Sequence, residues 1–233
     1  MTGSAPQQRS QAIPQAIEPC FWPVLALTAG AAGVVATSLF YLLSPPEAVL
    51  PFVPLDPTRA AAGALRGAAT LHVAGLIGIT SDVILASAAL SLGAQASLED
   101  NGDSRALGWM LIATATLVFI GVDTALGFVL SALAAQSSGA FLGVKIFTNT
   151  LFALGTFGFG LGGIVLLTPY IRGRVQGLGG TAWPALVFAV VSALAGAGTL
   201  LGFDLHNFVG LGIGGGAIAF VLVGLRLLRP ARP

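Results

Sequence analysis

Residues 68 to 93, AATLHVAGLIGITSDVILASAALSLG, decide the fold. The run holds one carboxylate and one imidazole among otherwise apolar and small residues. A helix rising 1.5 Å per residue crosses a hydrocarbon core of roughly 30 Å in about 20 residues, and this run is longer than that. It is continuous, without the alternation of apolar and polar positions that marks a strand of a membrane barrel, so it reads as a transmembrane helix. Five more such runs lie near 21–43, 106–134, 146–169, 183–202 and 206–227. The fold class is therefore all-α, a bundle of six transmembrane helices spanning 21–229 behind a polar tail at 1–20.

Composition excludes the alternatives. Charged residues are 8 % of the 233 positions, against roughly a quarter in a soluble domain, and mean hydropathy is +0.91, so no water-soluble surface can be built from this chain. The 32 glycines suit helices packed closely in lipid. A net charge of +1 without a basic face excludes nucleic acid as a partner and leaves the lipid bilayer as the surrounding medium. The single cysteine, Cys20, allows neither an intrachain disulfide nor a cysteine-based metal cluster, and reads as a small residue at the lipid interface. The Gln-, Pro- and Ser-rich tail before it is no signal peptide, so the first span is expected to stay as an anchor.

Short connections make successive helices antiparallel neighbours, and the last two spans are joined tightly enough to form a hairpin. The segment 44–67 is the exception. Pro45, Pro46, Pro51, Pro54 and Pro57 argue against a helix there and for an extended cap across the bundle. Placing the N-terminus inside puts Arg9, Arg105, Arg172, Arg174, Arg226, Arg229 and Arg232 in the cytoplasm, against Arg59, Arg66 and Lys145 outside. The same choice sets Trp22, Trp109 and Trp183 at one headgroup boundary. Both termini are expected to be cytoplasmic and the 44–67 segment external. Gly158 with Gly162, Gly210 with Gly214 and Gly212 with Gly216 are small-xxx-small pairs that flatten a helix face for packing within the chain or, less simply, between copies in a homo-oligomer. No internal repeat of the transporter kind is visible.

A charge at the bilayer centre costs at least about 2.5 kcal/mol, so acids within spans demand a reason. There are two, Asp82 in the second span and Asp123 in the third. Counted from the span midpoints they lie within roughly 7 Å in depth on adjacent helices. One reading is a proton or cation site in which two carboxyls share a proton, because close like charges cannot both ionise cheaply. The other is that each stays protonated and bonds to Ser81, Thr80, Thr124 or a backbone carbonyl, serving only to join helices.

Both histidines, His72 and His206, open spans at the same end of the bundle, the latter beside Asp204 and Asn207 in GFDLHNF. Two imidazoles at similar depth suit a b-type haem, or a copper or zinc ion with Asp204 as third ligand, and would make a redox module. The plainer reading is a helix start meeting water. Lys145 and Asn149, one turn apart, either meet an anionic group or Asp123, or else Lys145 snorkels to the headgroups while Asn149 bonds a neighbouring helix. GFGLGG at 158–163 lies in an apolar helix and lacks the lysine and serine of a phosphate loop. Hydrolytic constellations such as GxSxG and HExxH are absent, so an enzyme is unsupported.

The runs TSDVILASAALSLGAQ (80–95), RALGWMLIATATL (105–117), FGFGLGGIVLL (157–167) and IRGRVQGLGG (171–180) together resemble a family of six-span bacterial membrane proteins known only as a domain of unknown function. The likeness covers spans two to five in pattern. It departs at Ile171-Arg172-Gly173, where the family tends to place a proline beside the arginine, and in the proline-rich segment. The resemblance implies six helices in a bacterial inner membrane and supplies no catalytic residues. Three functions stay open: a transporter-like module or accessory subunit with a buried carboxyl pair, a haem- or copper-binding redox module, and a structural subunit of a larger membrane complex.

Overall fold

A computed structural model describes residues 21–49, 56–99, 102–136 and 138–228. The polar tail with Arg9 and Cys20, the prolines at 51 and 54, and Arg229 and Arg232 fall outside them, so the expectations attached to those residues find no structural counterpart. Among the described residues every regular element is helical. The spans are α1 (Phe21–Leu42), α4 (Ala68–Ala96), α5 (Asp103–Thr124) continued through a π-helical turn (Ala125–Val129) into α6 (Leu130–Ala134), α7 (Ser138–Ile171), α8 (Ala182–Leu200) and α9 (His206–Leu227). Six segments are thus long and apolar enough to cross a membrane, and the protein is a multi-pass membrane protein.

The spans form a closed ring. Packing runs α1 to α4, α4 to α5, α5 to α7, α7 to α8, α8 to α9, and α9 back to α1. An even number of antiparallel spans permits this closure, since the last helix returns to the first in the opposite sense. Lipid offers no hydrophobic drive between helices, so contact rests on close van der Waals approach at small residues. A glycine stands at every seam. Gly30 faces the backbone of Leu85 between α1 and α4, Gly75 meets Gly127 beside α4, Gly108 meets Leu166 between α5 and α7, and Gly196 meets Phe157 between α7 and α8. Gly212 lies on Ser192 between α8 and α9, and Gly224 on Thr28 closes the ring.

Of the glycine pairs singled out above, Gly162 packs on Gly108 and Ile112, Gly158 on Ala115, Gly212 on Ser192 and Gly216 near Phe159. Gly210 and Gly214 do not pack. A Cβ added at either would meet no other part of the bundle within 4 Å, because helical periodicity turns them to the outside of the ring while Gly212 and Gly216 face inward. Trp109 also departs from expectation. Its ring is buried, 6.1 Å from that of Phe220, whereas Trp22 and Trp183 are exposed.

The 44–67 segment is not extended throughout. It contains α2 (Pro46–Val49) and the ten-residue α3 (Pro57–Arg66). Proline is tolerated in the first turn, where its missing N–H has no intrahelical partner to lose. Asp56 caps α3, its carboxylate accepting from the N–H groups of Thr58 at 3.0 Å and Arg59 at 3.2 Å. Ala60 and Ala64 face inward and Arg59 and Arg66 outward, an amphipathic pattern.

Substituting Gly196 by alanine would set a Cβ 2.5 Å from the Phe157 nitrogen and 2.8 Å from the Ala153 oxygen, both rigid backbone. Gly196→Ala is expected to destabilise by about 1–3 kcal/mol. Gly210→Ala is expected to be neutral or stabilising by up to about 1 kcal/mol through helix propensity. Unfolding of the purified variants by titrating SDS into mild-detergent micelles checks both.

Candidate functional site

Asp82 and Asp123 come together. Both are buried, with 3 % and 5 % of their surfaces exposed, and their carboxyl groups interact directly across the seam between α4 and α5. Glycine makes the room. Gly78 lies about one turn before Asp82 on the same helix, and a Cβ there would overlap the Asp123 carboxyl. One turn earlier still, Gly75 rests on Gly127 and on the carbonyl of Asp123.

The chain around Asp123 is irregular in a way no residue pattern announced. Directly after Asp123 and Thr124 the helix widens into the π-helical turn, where the Leu130 N–H donates to the Ala125 carbonyl five residues back. Such turns add a residue to the helix and shift the face presented beyond it, and they are frequent at functional sites. No glycine–proline break is needed to produce one.

A third side chain completes the cluster. The Tyr41 hydroxyl, from the last turn of α1, donates to Asp123 Oδ1 at 2.6 Å. Asp82 Oδ2 is buried without a hydrogen-bond partner. The hydroxyls expected to satisfy the acids do something else: Ser81 bonds to Gly78, Thr80 to Leu76 and Thr124 to Ile120, each on its own helix. Tyr41 escaped the sequence reading because a tyrosine beside a span's end is ordinary in an aromatic belt.

Two small cavities flank the pair. The first, about 20 Å³, is lined by Tyr41, Val49, Val122, Leu126, Thr148, Asn149 and Phe152. The second, about 10 Å³, lies between five of the six spans, where Asp82 and Thr116 are its polar lining among Phe119, Phe159, Phe220 and aliphatic groups. A single water needs roughly 10–15 Å³, so neither takes more than one or two.

Lys145 is not at the headgroups. It is fully buried, and its ammonium donates to the carbonyls of Ala48 at 2.5 Å and Val49 at 3.3 Å, the last residues of α2. Carbonyls left open at a helix end attract a cation, which explains why the side chain turns inward instead of snorkelling. Asn149, one turn on, lines the first cavity. Among the described residues Lys145 pairs with no anion and does not reach Asp123.

The histidines are placed differently. His72 is exposed at the start of α4, its ring 4.5 Å from that of Phe128 in an edge-on arrangement. His206 opens α9, and its side chain lies outside what is described; Asp204 is exposed in the preceding turn. The helices α4 and α9 share no substantial interface. Among the described residues no group of three His, Cys, Asp or Glu side chains gathers to hold a metal ion. At the opposite end of the bundle Arg105 pairs with Glu99 at 2.5 Å and reaches Tyr170, tying the start of α5 to α7.

Compared with protein-family models, curated proteins and solved structures, the chain matches none. The geometry therefore carries the functional reading alone.

Removing the tyrosine hydroxyl leaves Asp123 short of a donor. Tyr41→Phe is expected to lower the unfolding free energy by about 0.5–2 kcal/mol, the range for interhelical hydrogen bonds in membranes. In an Asp123→Asn background the same substitution is expected to cost less, and a double-mutant cycle on SDS unfolding measures the difference.

Proposed function

We propose that this protein handles protons across its membrane, as a transporter-like module or as the proton-conducting accessory subunit of a larger assembly, with Asp82 and Asp123 as the carrier. The observation that carries the reading is the direct contact of two buried carboxyls held by a tyrosine hydroxyl. In a low-dielectric interior a second charge beside the first is repelled strongly, so the pair holds a shared proton and exchanges it singly. Ser81 and Thr124, the hydroxyls beside the acids on their own helices, turn away from them, and Asp82 keeps a buried oxygen without a partner, which an acid serving only to join helices would not leave.

A proton fits better than a metal cation. Hard cations take six or more oxygen ligands, and the pair with Tyr41 offers few, in cavities too small for a hydration shell. The membrane is a bacterial inner membrane on the resemblance noted above, with both termini cytoplasmic and the α2–α3 face external on the distribution of Lys and Arg.

Purified protein in liposomes, with an imposed pH gradient and a pH-sensitive dye inside, tests the reading. Wild type is expected to dissipate the gradient faster than protein-free liposomes, and Asp82→Asn with Asp123→Asn to return the rate to that background. Equal rates for wild type and the double variant would leave the acids as helix joints.

A further inference from the structure

We propose that protons reach the Asp82–Asp123 pair only from the α2–α3 face, through the cavity lined by Tyr41, Thr148 and Asn149, and that Lys145 holds this route shut. The inference rests on the proton-carrier reading and adds to it a sidedness and a gate.

Depth argues first. Along α5 and its continuation, Asp123 lies roughly 16 Å from the end at Ala134 and roughly 30 Å from the end at Asp103. Asp123 is therefore nearer the α2–α3 face, while Asp82 stands midway along α4. On that side the cavity is the more polar one: Tyr41, Thr148 and Asn149 are among the residues lining a volume that admits a water. Tyr41 belongs both to this cavity and, through its hydroxyl, to Asp123, so the two are joined by one phenol.

On the other side the way is blocked. Beyond Asp82 the cavity on the bundle axis meets Phe159 and Phe220, whose ring centroids are 5.3 Å apart, and then Trp109 packed on Phe220. Leu92, Ile112 and Leu166 fill the remaining core. An apolar plug of this kind offers a proton no acceptor.

The gate is the short helix α2. Val49 lines the polar cavity, and its carbonyl with that of Ala48 is held by the buried Lys145 ammonium. These are charge-assisted bonds that tie the four-residue helix, otherwise packed through Ala48 and Val49 on α3 and the core beside it, to α7 on that wall of the cavity. Releasing it lets α2 lift and water enter. A hydronium in the cavity gives a proton to the Tyr41 oxygen as the phenol's own proton moves to Asp123, leaving neutral water, and the reverse steps return a proton to water.

Silver ion, small and thiol-seeking, probes the cavity. Cys20 is replaced by serine and Asn149→Cys introduced, and the protein is placed in vesicles whose orientation is fixed by a protease-cleavable tag. Silver added at the α2–α3 face is expected to block the thiol, read by loss of maleimide labelling after denaturation, and silver at the opposite face is not. Adding Lys145→Met is expected to speed blocking about tenfold, since one net hydrogen bond is worth roughly that factor in an opening equilibrium. Deuterium exchange of the shared carboxyl proton, followed in the infrared C=O stretch, is expected to speed in parallel in Lys145→Met with Asn149 intact. Equal blocking from both faces, blocking only from the opposite face, or deuterium exchange unchanged in a folded Lys145→Met protein overturns the proposal. The liposome flux of the double acid variant is a separate readout, so a pair that carries no proton and a cavity that admits none give different signatures. Sidedness in the Lys145 background stands as a test even where Lys145→Met fails to fold.

Discussion

Backbone-to-backbone approach at glycine is the constraint on which the rest of this bundle depends. Surrounded by hydrocarbon, two helices gain nothing by hiding leucine from lipid, and association rests on how many atoms come into contact. Gly30, Gly75, Gly108, Gly196, Gly212 and Gly224 supply that contact, one or more at each seam around the ring. A methyl group at most of them would strike main chain, which cannot swing aside as a side chain can. The ring closes only because no seam is left wide.

The same constraint places the polar chemistry. Gly75 and Gly78 bring α4 so close to the third span that Asp123 lies in the space a Cβ would take. Two carboxyls forced together in a dry interior favour a shared proton, and the Tyr41 hydroxyl fixes Asp123 from a third helix. Polar and apolar cavities then fall on opposite sides of the pair, the first beneath α2 and the second among the phenylalanines of the axis. The closeness of the pair traces to small residues on one face of α4.

Much of this was legible in the residues. The six spans follow from uninterrupted apolar runs, and their ends differ from the observed helices by a few residues, most at α7, which begins at Ser138, not near 146. Asp82 and Asp123 stood out because lipid makes an acid conspicuous, and simple rise-per-residue counting put them at like depth. What failed, failed for physical reasons. Lys145 and Tyr41 sit near span ends, where a long amphipathic side chain usually turns to the headgroups, and only the tertiary fold reveals that they turn inward. Trp109 sits near its span's end too, yet its indole turns to the core. The π-helical turn has no compositional mark. The helix at 57–66 was hidden by counting prolines instead of locating them: Asp56-Pro57 is a cap followed by a first-turn proline, a start signal and not a breaker.

The cluster of Tyr41, Asp82 and Asp123 is drawn wholly from the first three spans, while Phe159 and Phe220, which seal the axis beside it, belong to the fourth and sixth. Ribosomal synthesis delivers helices in that order. All three side chains of the cluster are therefore synthesised before the fourth and sixth spans that cover it. The aromatic seal arrives last, and α9 must insert before the axis can become dry. Synthesis thus has its own order at the site: the polar residues are made first, and the aromatic insulation that covers them is made afterwards.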